Sequence, residues 1–369
     1  MNNQGSVSSI QMSVLFLAFI TGSSIVLIPG PLTNAARNGA WLSLFLALAL
    51  GMVLLACVLY LHRVYPRMSF IEYSRAAVGK WLTLLLAIPY VTVMFWHVAG
   101  IVIEIGGFFN NTMLRETPTY AINTLFFATI AMTVRAGIEV IARMSVLLLM
   151  LMLGFTIVVL VMVAPLYHPE YLRPVLPDGI RPVLHGAYIA YGFPYSELTT
   201  FAMLLPFVRK QEQTKVGKFL FWALILNGVT LAASILCSIM VLGPLSGDLK
   251  YSLYQLARLI YVQEIVERIE SVIGFSLIAG SYIKSTIMLF ILSKVLAQLF
   301  KLQDERLLIF PVALICLLLS ITMYSNEMSL DEAVNATWPL LDNAAYTLPL
   351  LLVMAVTLVK RLRKPPASA

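Results

Sequence analysis

Four ionisable residues lie where the chain is otherwise apolar: His97, Glu104, Glu197 and Lys284. Charges at mid-membrane depth are costly to hold, and they mark proton relays, ion paths and ligand counter-charges. Lys284 falls about halfway along the apolar run 271–299, too deep for its stem to carry the ammonium to the surface. Two readings of it stand. One is an internal cation beside a break in the first span, with Ser285 and Thr286 next to it, replacing a bound sodium ion or titrating as a proton carrier. The other is a static ion pair with Glu104 or Glu197. Glu104 follows His97 by two helical turns on the same face, so His97 and Arg115 are its candidate partners. Glu197 follows a Gly-Phe-Pro break and is placed to cap broken backbone or to meet a ligand amine. His97 has no second histidine at metal-ligand spacing, which reads as a buried histidine and no metal site. No Walker-type lysine loop, HExxH or GxSxG occurs, so no enzymatic chemistry and no cofactor are expected. Cys57, Cys237 and Cys316 stand far apart in apolar runs, a pattern of packing residues and of no disulfide framework.

The elements that must position these residues are membrane helices. The chain has 369 residues, of which 60% are hydrophobic and only 12% charged. Soluble domains carry about 25% charged residues, so the bilayer is the main solvent here. Ten continuous apolar stretches meet or nearly meet the length of a spanning helix, about 20 residues. They are Ile10–Pro29, Trp41–Leu61, Trp81–Phe109, Thr117–Val134, Ser145–Leu166, Gly186–Val208, Phe219–Leu245, Ser271–Leu299, Leu307–Ser325 and Asn335–Val359. The runs do not alternate, which favours helices over barrel strands. The leader Met1–Ser9 lacks Lys and Arg, so the first stretch reads as a retained helix and not a signal peptide. With the N-terminus inside, sixteen of the 25 basic residues fall in inner loops and the C-terminal tail, against seven outside. Both termini are therefore expected to be cytoplasmic. The net charge of +7 is spread over separate loops and calls for no nucleic acid.

One transmembrane domain is expected over residues 1–369, with halves of about 10–166 and 186–359. The segment Tyr167–His185 is rich in proline and reads as an ordered outer loop. Leu245–Glu270 has an amphipathic latter part and reads as a surface helix, either a lid over an outward cavity or an interfacial strut. Ten spans divide into five and five, and the first span of each half is interrupted. Span one reads Thr21-Gly22-Ser23-Ser24 and then Pro29-Gly30-Pro31; span six reads Tyr191-Gly192-Phe193-Pro194-Tyr195-Ser196-Glu197 and then Pro206. Pro194 removes a helical N–H and its ring opposes the carbonyl of Ala190. Paired discontinuous helices at corresponding positions of two inverted halves point to a binding site. A zwitterion suits such breaks, its carboxylate on free N–H groups and its ammonium on free carbonyls. Trp96, Tyr191, Phe193, Tyr195 and Tyr282 are aromatic walls for an apolar side chain.

These segments resemble the GerB-type B subunits of spore germinant receptors, within the amino acid–polyamine–organocation transporter superfamily. The resemblance is carried by Tyr171-Leu172-Arg173-Pro174-Val175-Leu176 with Asp178-Gly179, by Tyr191 to Glu197 with Leu205-Pro206, by Ala257-Arg258-Leu259-Ile260 leading to Glu267-Arg268-Ile269-Glu270-Ser271, and by Glu116-Thr117-Pro118. Ser196 departs from it, standing where the family usually has Gly. The resemblance implies a ten-span, LeuT-like 5+5 inverted repeat with spans one and six unwound. It implies a nutrient germinant, often an L-amino acid, and a complex with an A subunit and a lipoprotein C subunit in the spore inner membrane. By the same likeness Gly22, Ser23, Ser24, Gly192, Phe193 and Pro194 line the pocket, with spans three and eight as walls; the reading of the residues adds Thr21, Tyr191, Tyr195 and Glu197 to the expected ligand-binding set. From the residues themselves, Trp96 and Gly100 of span three are expected in the ligand-binding set, and Lys284 and Glu104 are the expected internal charges. A proton-coupled amino-acid permease and an assembly scaffold with a vestigial site are the competing readings.

Overall fold

The computed structural model describes residues 5–260, 269–324 and 327–362. All ten apolar stretches fold as helices or broken helices. Span one is Ser9–Thr21 continued by Ser24–Leu27 and Pro29–Ala36, so it runs one helix beyond the stretch read from hydropathy. Span two is Ala40–Val64, three Lys80–Thr112, four Thr119–Ala136 and five Ile138–Met162. Span six is Ile180–Ala190, an irregular turn Tyr191–Tyr195, and Ser196–Met203. Spans seven to nine are Gln213–Leu242, Glu270–Phe300 and Arg306–Thr322, and span ten is built of short pieces from Glu327 to Leu362.

Seven helical stretches are individually long and apolar enough to cross a membrane. The shortfall from ten has physical causes. Span six is divided at Phe193, span nine has 17 residues, and span four is diluted by Asn123 and four threonines. Span one packs on spans seven, five and eight; span two packs on six; span eight packs on three and five. Span eight is the most enclosed of the long helices, with 83% of its apolar window buried inside the protein. It therefore reads as a central post, and Lys284 sits near its middle.

Local sequence fixes several helix starts. Ser8 accepts from the backbone N–H of Gln11, whose side chain accepts from the N–H of Ser8. Ser69 and Glu72 repeat this reciprocal cap at Phe70–Val78, ahead of span three. Each cap satisfies two helix-end donors.

The start of span one is also held by a strap. The N–H of Val7 donates to the Phe207 carbonyl (3.0 Å), and the N–H of Arg209 donates to the Val7 carbonyl (3.0 Å). Ser6 donates its N–H to Glu139 (2.9 Å), and Ser9 donates N–H and hydroxyl to one Glu212 oxygen (2.7 and 2.8 Å). The start of span one is thereby tied to span five and to the segment between spans six and seven at one end of the bundle. Glu212→Ala is expected to speed hydrogen exchange at residues 6–9 and to leave span eight protected. Unchanged exchange at the strap would show that Glu212 does not hold it.

Two loop readings are refined by the structure. The proline-rich segment is ordered, with a short helical turn at Pro169–Leu172, and span six begins earlier than expected, at Ile180. The helix Ser252–Arg258 does not lie on a lipid surface: Leu253 and Leu256 are fully buried, and it packs against spans one, seven and eight. Glu264, Val266, Glu267 and Arg268, read as the rest of that helix, lie outside the described residues.

Candidate functional site

Both interruptions are present in the backbone. Gly22 leaves helical geometry (φ 3°, ψ −116°), and the Ser24 hydroxyl reaches back to the carbonyls of Ile20 and Thr21, 2.8 Å from each. Span seven props the break from the other side: Asn227 donates to the Thr21 hydroxyl (3.1 Å) and Ser234 to the Ile25 carbonyl (3.2 Å). In span six Phe193 is extended (φ −129°, ψ 117°) between helical neighbours. The Ser196 hydroxyl lies 2.6 Å from the Gly192 carbonyl that the break frees. A glycine here would have no side chain to do this.

A cavity of about 340 Å³ lies between the two breaks. Its polar floor groups are Ser23 of span one and Ser281 of span eight. Both hydroxyls are buried and have no hydrogen-bond partner among the described residues. Its apolar walls include Leu27, Ile101, Ile189, Phe193 and Trp338. Glu104, Lys250, Asp248 and Asp331 border it toward the other end of the bundle. Lys250 Nζ bridges Glu104 (3.2 Å) and Asp331 (3.0 Å), so Glu104 pairs with neither of its expected partners, His97 and Arg115. Local helix geometry favoured His97, but a loop lysine reaches Glu104 from above the cavity.

Of the residues singled out in the sequence, Ser23, Gly100, Phe193 and Glu104 line this cavity. Thr21, Gly22 and Ser24 form the break beneath it. Gly192 packs against Pro339, and Tyr195 is buried against Gly51 of span two. Tyr191 shares a hydrogen bond with Thr347 (2.8 Å), and Pro194 is buried. Trp96 is half-buried on span three and does not border the cavity.

Glu197 and Lys284 meet each other behind Phe193. Lys284 Nζ forms an ion pair with Glu197 Oε2 and stands over the Phe193 ring, 3.9 Å from its centroid. The other Glu197 oxygen lies 3.2 Å from His97 Nδ1, and His97 Nε2 lies 2.9 Å from Asp342 Oδ1. Ser196 closes the row, 3.1 Å from Asp342 Oδ2. Spans eight, six, three and ten are joined in one buried polar chain. Between the two readings of Lys284, its partner is thus Glu197 and not Glu104.

Asp342 was not singled out, although it is the one acidic residue within the apolar run Asn335–Val359. The rule that flagged Glu197 would have found it. Its helix is irregular on both sides, with wide turns at Ala333–Thr337 and Asn343–Thr347. Such turns are rare and concentrate at functional sites. Trp338, one helical turn earlier, stacks on His97 with ring centroids 4.8 Å apart.

The described residues contain no group of three or more potential ligands fit to hold a metal ion. Known proteins carry the same architecture. The transporter Mhp1, of the nucleobase-cation-symport-1 family, in a closed conformation with bromovinylhydantoin bound, superimposes with a TM-score of 0.71 at 15% identity, over 98% of this chain and 81% of that one. MhsT in complex with L-phenylalanine gives 0.66 at 14% identity, over 96% and 99%. At this identity the likeness shows the fold alone, a LeuT-like bundle with unwound first and sixth spans. In sequence the chain is 29% identical over 365 residues to spore germination protein KB of Bacillus subtilis (strain 168), covering 97% of this chain and 96% of that one. The profile of the family described as spore germination protein matches residues 6–328. An integral membrane bundle of this fold, matched by that profile over most of its length, belongs to the spore germination protein family.

Proposed function

We propose that this chain is the germinant-binding membrane subunit of a spore germination receptor, and that a small nutrient, an L-amino acid, binds in the cavity between spans one and six. The carrying observation is the pair of buried hydroxyls of Ser23 and Ser281, unpartnered among the described residues, at the floor of a mainly apolar cavity, beside two backbone breaks. A buried polar group without a partner is costly, so a ligand that supplies one is favoured. A carboxylate accepts from both hydroxyls, and the wall of Phe193, Ile101 and Trp338 takes an apolar side chain. The excess of basic residues on one set of loops supports an orientation with both termini cytoplasmic; the spore inner membrane is the proposed location on the family resemblance. A receptor A subunit and a lipoprotein C subunit are its proposed partners, on the family resemblance.

The test is uptake of a labelled L-amino-acid panel by proteoliposomes holding the full chain, with retained and luminal label counted separately. Saturable retention without accumulation is the expected result. Ser23→Ala with Ser281→Ala is expected to weaken retention about tenfold or more, since each lost hydrogen bond costs about 0.5–1.5 kcal/mol. Retention unaffected by the double substitution would remove the cavity floor from the site. The row of charges behind Phe193 favours a second reading, a proton-coupled amino-acid permease. Luminal accumulation driven by an inward proton gradient would select it.

A further inference from the structure

The row Lys284–Glu197–His97–Asp342 raises a question of proton number. Each of its two imidazole contacts joins a ring nitrogen to a carboxylate oxygen, at 3.2 and 2.9 Å. Neither contact has hydrogen-bond geometry, but a bare ring lone pair this close to an ionised carboxylate oxygen is repulsive, so each approach calls for one proton on its nitrogen or its carboxyl. A neutral imidazole supplies one proton and leaves a lone pair facing an oxygen at the other contact. One additional proton is therefore required. It completes either the His97–Asp342 contact or the His97–Glu197 contact.

Charge gives the same count. Lys284 contributes one positive charge and the two carboxylates contribute two negative charges. With neutral His97 the row would carry a net negative charge, although Lys284, Glu197, His97 and Asp342 are all buried. Uncompensated charge at this depth is strongly disfavoured. With the additional proton the row is neutral.

Among the described residues, Lys284 is the one cation paired with this row. The groups meeting His97 are Glu197 from span six and Asp342, Trp338 and Tyr346 from span ten; Lys284 of span eight pairs with Glu197, and Tyr90, on the same span as His97, meets Tyr346. Tyr188 and Tyr191 of span six bear on Asp342. The hydroxyls of Tyr346, whose ring meets His97, and of Tyr90, whose ring meets Tyr346, are buried without a hydrogen-bond partner among the described residues. All of these tyrosines are neutral as phenols, so none replaces the proton.

We infer that the His97 imidazole, clamped between Glu197 and Asp342, is a proton-binding site that holds one exchangeable proton behind the cavity wall. The site reaches the cavity at two places. Lys284 stands on one side of the Phe193 ring, whose residue lines the cavity, and His97 stacks on Trp338, which also lines it. An occupant that displaces either aromatic ring moves one end of the row, so occupancy and proton affinity are linked. This inference does not depend on which ligand enters.

The experiment uses the full chain in lipid nanodiscs with no ligand, labelled with ¹⁵N-histidine and examined by solid-state NMR together with infrared spectroscopy of the carboxyl region. At neutral pH the wild type is expected to show one non-exposed histidine protonated at both nitrogens, or else one buried carboxylic-acid C=O band. Asp342→Asn removes one negative charge while keeping an acceptor toward Nε2, so the additional proton is expected to be lost and His97 to become singly protonated. The protein has four histidines, and this difference assigns the signal. A wild-type spectrum with every buried histidine singly protonated and no carboxylic-acid band would overturn the inference by itself, whether or not the variant folds. A doubly protonated histidine that persists in a folded Asp342→Asn protein would also overturn it.

Discussion

Lys284→Met is expected to cost about 3–5 kcal/mol of stability, because it leaves the buried Glu197 carboxylate with its cation removed. Lys284 is 0% exposed and Glu197 is 2% exposed, so water cannot take over the role of the ammonium. The remaining contact of Glu197, with His97, is already shared with Asp342. The expected result is a lower unfolding temperature and a large loss of monodisperse protein. The companion substitution Glu197→Gln removes the stranded charge, and the double variant is expected to recover much of the loss. A double-mutant cycle on thermal unfolding in detergent measures this directly. Additivity of the two changes within about 0.5 kcal/mol would mean that the pair carries no coupling energy. The cycle also separates fold from function. If the double variant is stable yet retains no labelled amino acid, the pair serves the site as well as the bundle.

Gly280→Ala is expected to be nearly as damaging, for a steric reason. Span eight crosses the break of span one there, and a Cβ on Gly280 would stand 2.4 Å from both the backbone carbon and the carbonyl oxygen of Gly22. Neither atom belongs to a flexible side chain, so relief requires the two spans to separate. Overpacking of this kind costs about 1–3 kcal/mol or more. It would also shift Ser281, the next residue, away from the cavity floor. The matched control is Gly154→Ala on span five, where a Cβ meets nothing within 4 Å. That change is expected to be neutral or to stabilise by up to about 1 kcal/mol, because alanine is the better helix former. If Gly280→Ala matched Gly154→Ala in thermal stability and ligand retention, the close crossing of spans one and eight would not be required.

The most legible features of the chain are those written in contiguous residues. Hydropathy is summed along a helix, so apolar runs announced the spans, although span six began at Ile180 and span one continued to Ala36. Glycine and proline act on their own backbone and the preceding turn, so the interruptions at Gly22 and at Phe193–Pro194 could be read directly. Lys284, Glu197 and Glu104 could be flagged because an ionisable group in an apolar run is conspicuous wherever the run lies.

The partners of those groups were not legible. Glu104 reaches Lys250 and not the histidine two turns away on its own helix, because the loop following span seven folds over the cavity. Ser196 and Asp342 are 146 residues apart in the chain and touch because span ten passes behind span six. Ser281 becomes a floor group because the crossing of spans one and eight turns it toward the break. The sequence by itself determined the solvent of this protein, the approximate course of its spans and the positions where two of them break, since each rests on local free energies of transfer and of backbone geometry. Only the tertiary structure decided which charge neutralises which and which hydroxyls face the cavity, since those follow from the packing of helices distant in sequence, where contact free energy is set by neighbours that no local pattern names.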